Sequence, residues 1–255
     1  MIEVVDLWKS YGKNQILSGM NLQIHEGEIL VIVGRSGVGK SVLLRHIIGI
    51  EKPDKGYIDV DGVRISELSK TGLYKAVKDM GMLFQGAALF DSMNIFENTA
   101  FYLRQHGNPK TKEPYTEEEI KDKVFTALKM VSLDGQEKKL PSDLSGGMRK
   151  RAGLARLIVY RPRILLYDEP TTGLDPITAQ QINELIVQVQ EELKGTSVVV
   201  THDLHSALYM ADRIALHRDG KIDHLEEPKT FLNIEDPLIC FLKDSLLHHP
   251  SGRKL

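Results

Sequence analysis

The segment GRSGVGKS, residues 34–41, has the residue types and the spacing to hold a phosphate. Glycine, four residues, then glycine, lysine and serine let successive backbone N–H groups curl toward an anion, and the helix start behind them adds its dipole and unsatisfied donors. On this reading Gly34, Arg35, Ser36, Gly37, Val38, Gly39, Lys40, Ser41 and Val42 surround the phosphates of a nucleotide. Lys40 reaches the terminal phosphates and the Ser41 hydroxyl binds Mg2+. A glycine turn that matches by coincidence is the bland alternative. The context argues against it, because ILVIV precedes the loop and VLLRHIIGI follows, the strand, loop and helix order that the motif requires.

Further polar groups end apolar runs. ILLY, residues 164–167, runs into Asp168 and Glu169, and SVVV, residues 197–200, runs into Thr201, His202 and Asp203. Paired acids at a strand end are frequently only solvated charge. Behind a phosphate loop, Asp168 gains a role in holding hydrated Mg2+, and Glu169 in polarising the water that attacks the terminal phosphate. His202 is placed to touch that phosphate or that water, whereas most of the other eight histidines read as ordinary surface residues. LSGGM, residues 144–148, offers a second anion cradle, in which Ser145 caps a helix and Gly146 and Gly147 open it. An ordinary glycine-rich cap would look the same. One phosphate loop already serves one nucleotide, however, so a second cradle implies a shared site.

These groups need a scaffold to position them. The continuous apolar runs 29–33, 164–167 and 197–200 read as parallel strands buried on both faces, and ligands bind beyond the carboxyl ends of such strands. The tips of all three are therefore expected at one site. Residues 2–30 alternate around Gly12, Gly19 and Gly27, which predicts short antiparallel strands joined by turns. Between about 90 and 160 the pattern turns helical and predicts an inserted lobe. There TEEEIKDKVFTALKMVSL puts Ile120, Val124, Ala127, Leu128 and Val131 on one stripe, with Thr116 and Glu119 spaced as a capping box. GNPKTKEPYT, polar and with two prolines, reads as a flexible surface connection, and HHPSGRKL is expected to fray. Gly153, inside the helix after LSGGM, should weaken that helix by about 1 kcal/mol relative to alanine and disturb packing there.

Composition narrows the partners. The 255 residues are 42% hydrophobic and 27% charged, enough to bury a sizeable core in one large domain or two joined lobes. Lys and Arg number 33 against 35 Asp and Glu, so a net charge of -2 gives no overall attraction to DNA or RNA, and no nucleic acid partner is expected. Cys240 is the only cysteine, which excludes an intrachain disulfide, and MIEVVDLWKS lacks the basic-then-apolar order of a secretory signal. A cytosolic location fits both. No apolar run approaches the roughly 18 residues that a membrane-crossing helix needs, so any membrane role requires a partner chain.

In chain order, the phosphate loop, Gln85 after MGMLF, LSGGM, ILLYDE, Gly173-Leu174-Asp175 and His202 resemble, over about residues 1–225, the ATPase subunits of ABC transporters. The resemblance implies an α/β P-loop NTPase (RecA-like) fold: a mostly parallel sheet core, an N-terminal antiparallel β subdomain and an inserted α-helical subdomain. The ATPase domain would span 1–227, with the helical subdomain at about 90–160 and a C-terminal tail at 228–255. The cofactors implied are ATP and Mg2+, the metal meeting Ser41, Gln85 and Asp168, and the catalytic residues are Glu169, His202, Lys40 and Gln85. Two copies would face head to tail, each ATP held between the phosphate loop of one and Ser145, Gly146 and Gly147 of the other. The resemblance further implies that Tyr11 stacks on adenine, Gln85 links Mg2+ to a transmembrane permease and Asp175 contacts the opposing copy. Without it Tyr11 is a routine turn aromatic beside Gly12.

Three details are narrower. QGAALFDSMNIFENTAFYLR after Gln85, Met148 where many importer ATPases carry glutamine, and DEPTTGLDPITA resemble the ATPase of bacterial MCE-type, Mla-like phospholipid transporters. That implies work at the cytoplasmic face of the inner membrane, held there by permease subunits, with an MCE-domain lipid-binding protein and a small regulatory subunit as further partners. The competing view is that Leu89, Phe90, Met93, Ile95 and Phe96 form the apolar groove that takes a permease helix in any importer, for example one for amino acids. A non-transport ABC protein would need a long coiled coil or two nucleotide domains with basic surface, and a simple phosphate-loop kinase or GTPase leaves LSGGM unexplained.

Overall fold

A computed structural model describes residues 1–108, 111 and 113–247, with side chains through Lys243. Pro109, Lys110 and Lys112 of the expected flexible connection, and the HHPSGRKL end expected to fray, lie outside the described residues. The chain forms two compact units, one of residues 1–77 and 196–255, the other of residues 78–195.

The first segment of the first unit contains β1 (Ile2–Tyr11), β2 (Asn14–Ile24), β3 (Ile29–Val33), α1 (Lys40–Ile47), β4 (Lys55–Val60), β5 (Val63–Arg64) and α2 (Lys70–Val77). The second unit contains β6 (Met80–Leu83), α3 (Ile95–His106), α4 (Glu117–Met130), α5 (Gly146–Ile158), β7 (Ile164–Asp168) and α6 (Pro176–Leu193). The chain then returns to the first unit with β8 (Thr196–Thr201), α7 (Leu204–Met210), β9 (Arg213–Arg218), β10 (Lys221–Glu226), α8 (Pro228–Phe231) and α9 (Pro237–Leu247).

In the first unit, β1 and β2 pair antiparallel from Ile2 opposite Ile24 to Tyr11 opposite Asn14. They are 10 and 11 residues long rather than short, and the antiparallel sheet is completed by β4 and β5, from beyond α1, in the order β2-β1-β4-β5. All five residues of β3 are buried: β8 and β9 pair in parallel along its two edges, and helix α7 packs against it. The register sets Val33 opposite Thr201 on one side and Leu216 on the other, so Gly34, His202 and His217 leave the strands at the same carboxyl end. The tail folds back onto this unit. Phe231 and Ile239 are fully buried, and Asp236 accepts two hydrogen bonds from Arg218 Nη1, at 2.9 and 3.1 Å, while capping the backbone N–H groups of Leu238 and Ile239.

In the second unit, β6 and β7 pair in parallel, Met80 opposite Ile164. The helices form as their apolar spacing requires: α4 buries Ile120, Val124, Ala127 and Leu128, and Thr116 and Glu119 make the expected capping box. A second capping box, from Asn94 and Glu97, starts α3. Ile95 is fully buried there, so it belongs to the core and not to an exposed groove.

Candidate nucleotide site

The loop between β3 and α1 has the geometry of an anion cradle. Gly39 caps α1 at φ 109°, a conformation that a side chain resists, and a Cβ at that position would meet Ile16 Cγ2 at 2.6 Å. The first turn of α1 carries no acid and no side-chain cap, which leaves its dipole and donors uncontested. Arg35, Ser36 and Gly37 are exposed, Val38 and Ser41 half-buried, and Val42 buried. Lys40, only 4% exposed, folds over the loop and donates to the carbonyls of Gly34 at 2.9 Å and Arg35 at 3.1 Å. Its ammonium is thereby held over the phosphate-binding turn. The first unit also gathers Tyr11, at the end of the same β1–β2 hairpin that presses Ile16 on Gly39. The Tyr11 ring is 42% exposed and its hydroxyl donates to Glu51. His202 is exposed at the carboxyl end of β8, beside the loop.

The sequence reading missed His217. It is fully buried at the end of β9, its carbonyl oxygen 2.5 Å from where a Cβ on Gly34 would lie, and neither ring nitrogen has a hydrogen-bond partner among the described residues. Burial, reinforced by the Lys40 charge and opposed by Asp223 and Asp219, pushes its pKa from 6.5 down to about 4. The unfolded chain therefore binds a proton that the folded chain refuses. The stability that depends on neutral His217 is complete above pH 6.5 and is lost as pH falls toward 4, about 3 kcal/mol in all. Between pH 7.5 and 5, denaturant unfolding should show a loss of about 2 kcal/mol from this residue, and His217→Leu should lack that share. Equal losses in both proteins would contradict the assignment. A histidine closing an apolar strand, RIALHR, was the available signal.

In the second unit, Asp168 and Glu169 end β7 and are 8% and 9% exposed. Glu169 adopts φ 47°, an uncommon backbone for a residue with a side chain, and its Oε2 accepts from the Thr172 hydroxyl at 3.0 Å. Gln85 is exposed on the loop after β6. Lys150, also missed, donates its Nζ protons to the carbonyl oxygens of Gln85 and Glu169. Within the run Arg149-Lys150-Arg151, Lys150 alone is buried, because successive helix positions turn to different sides.

Ser145 caps α5 and accepts from the Met148 N–H at 3.3 Å, and the helix's first turn has no acid, as an anion cradle requires. Leu174 lies against Gly146 and Thr178 against Gly147, where a Cβ would meet Thr178 Cγ2 at 2.5 Å. The segment around Asp175 thus packs on this cradle. Asp175 itself caps α6, accepting from Ile177 and Thr178, and these bonds lower its pKa, chiefly those from Thr178. Beside it Ile177 is 74% exposed. Gly153 does not disturb packing as expected but permits it. A Cβ there would stand 2.8 Å from Leu83 Cδ1 and 3.0 Å from Ala87 Cβ, so the glycine lets the Gln85 loop lie directly on α5. Next to it is a cavity of about 270 Å³ lined by Phe90, Phe101, Tyr102, Arg156, Leu157 and Tyr160.

Among the described residues no cluster of three or more His, Cys, Asp or Glu could hold a metal by itself. A hydroxyl, an amide oxygen and one carboxylate suit Mg2+ that keeps waters and takes phosphate oxygens as its remaining ligands. Among the described residues no helix is long and apolar enough to cross a membrane.

A family profile described as "ABC transporter" matches residues 17–172. The chain is 44% identical over 215 residues, 84% of its length, to the probable ribonucleotide transport ATP-binding protein mkl of Mycobacterium leprae, and spans 60% of the length of that relative. It is 42% identical over 244 residues to the intermembrane phospholipid transport system ATP-binding protein MlaF of Haemophilus influenzae, covering 95% of this chain and 90% of that one. A solved dimeric structure of the ATP-binding cassette MJ0796, in a post-hydrolysis state bound to ADP and Pi, superposes with a TM-score of 0.80 at 32% identity, covering 89% of this chain and 99% of that one.

Proposed function

Since this chain belongs to the ABC transporter ATP-binding family, we propose that it is the ATP-hydrolysing motor subunit of a transporter for phospholipid, acting through a partner permease. Lys40 and the backbone of residues 34–42 bind the phosphates, Tyr11 takes the adenine, and Ser145, Gly146 and Gly147 complete the site of a second copy. Ser41, Gln85 and Asp168 would hold Mg2+, which neutralises charge on the phosphates. Glu169 accepts the proton of the attacking water and His202 holds the terminal phosphate. Closure of two copies on ATP excludes water from this chemistry, and release of phosphate lets them part. The paired MJ0796 cassettes with ADP and Pi support the dimer. The exposed Ile177 beside Asp175 supports contact with a second copy there.

The observation that carries the lipid reading is the match to the phospholipid-transport relative over 90% of its length. A polar cargo is the competing reading, supported by the ribonucleotide-transport assignment of the mkl protein. Purification of the chain from its native membrane, with mass spectrometry of what accompanies it, separates them. Permease subunits with an MCE-domain protein and bound phospholipid are expected; a periplasmic solute-binding protein without lipid would overturn the proposal.

A further inference from the structure

One side of α5 holds the first part of the Gln85 loop, residues 85–88. Ala87 and Ala88 in that loop have φ of 61° and 48°, conformations that need external support. Arg156 supplies it by donating to the Ala88 carbonyl at 2.6 Å and the Ala87 carbonyl at 3.4 Å, and Gly153 leaves the room. Lys150, one turn nearer the helix start, shares that side. Its ammonium is 6% exposed as a residue and donates both to Gln85 O and, at 3.2 Å, to Glu169 O. Charge-assisted hydrogen bonds of this kind are about twice as strong as neutral ones, and a flexible stem ending in three donors suits two converging carbonyls.

The helix that opens with Ser145 and two glycines is therefore bonded, one turn on, to the residue proposed as general base and to the residue proposed as the permease link. We propose that Lys150 is a positioning residue that couples occupancy of the Ser145 cradle to the placement of Glu169 and Gln85 in the same chain. This rests on the shared-site reading above. In a dimer the cradle serves the nucleotide of the other copy, so the helix relays the state of one site to the base of its neighbour. Such coupling needs a physical element biased by both sites, and a rigid helix bonded at both is one.

The test uses the purified full chain, with ATP turnover and binding of a fluorescent ATP analogue measured for wild type, Lys150→Met and Lys150→Arg. Lys150→Met keeps the stem and removes the donors. Its kcat should fall at least about 30-fold and its Hill coefficient approach 1, with analogue affinity within about twofold of wild type, and Lys150→Arg should recover most of both, as donors to backbone carbonyls are restored. Wild-type kcat and cooperativity in Lys150→Met would overturn the coupling, as would a matching loss of analogue affinity, which marks mere structural damage. If Lys150→Met does not fold, Lys150→Gln, which retains one amide donor group, is held to the same outcomes. Absence of turnover and of ATP-dependent dimers in the wild type would instead remove the motor reading itself, a result distinct from an unaffected variant.

Discussion

Replacing Glu169 with glutamine is expected to cut ATP turnover by at least about 100-fold, the usual contribution of a general base, while leaving ATP affinity intact. The substitution preserves shape. Glutamine Oε1 retains the acceptor that receives the Thr172 hydroxyl at 3.0 Å, and the bond from Lys150 goes to the backbone oxygen, which the change does not touch. The φ of 47° that sets the side chain's direction is likewise a backbone property. Only the capacity to take a proton is lost. Since ATP stays bound and uncleaved, the variant should elute as a dimer on size exclusion with Mg-ATP, where the wild type returns to monomer as it hydrolyses. Steady-state turnover is the direct check: an unchanged rate in the purified variant would remove Glu169 as the base.

Lys40→Ala should weaken ATP binding by about 100-fold or more, because two charge-assisted contacts to phosphate oxygens are each worth roughly 1.5–3 kcal/mol. Lys40 is 4% exposed and bonded over the carbonyls of Gly34 and Arg35, which holds its charge at the cradle. Titration with a fluorescent ATP analogue measures the loss, and near-wild-type affinity would contradict the assigned role. A second readout comes from His217. The Lys40 charge helps depress that imidazole's pKa, so its removal should raise the folded-state pKa toward the unfolded value and shrink the acid-induced loss of stability that His217 causes. Coincidence of the two effects in one variant would tie the phosphate loop to the histidine beneath it, which a generally damaged fold would not do.

The legibility of each part follows the sequence distance over which it is built. The phosphate loop, the Thr116 capping box and the buried strand β3 could be read directly, because each depends on residues within a few positions of one another. The order of motifs likewise pointed to the family that the profile over residues 17–172 supports. The antiparallel strand β4 is not legible locally, since its partner β1 lies beyond α1 and strand pairing is a tertiary choice. Gly153 was misjudged for the same reason: helix propensity weighs it against alanine, whereas the approach of Leu83 and Ala87 decides its value. Lys150 stands between two other basic residues, and its carbonyl partners are 65 and 19 residues away. Sequence alone thus determined which groups meet a phosphate, since a loop and a helix start are local objects. Only the folded chain decided which charges are buried and what they hold, because burial is imposed by segments that meet nowhere but in space.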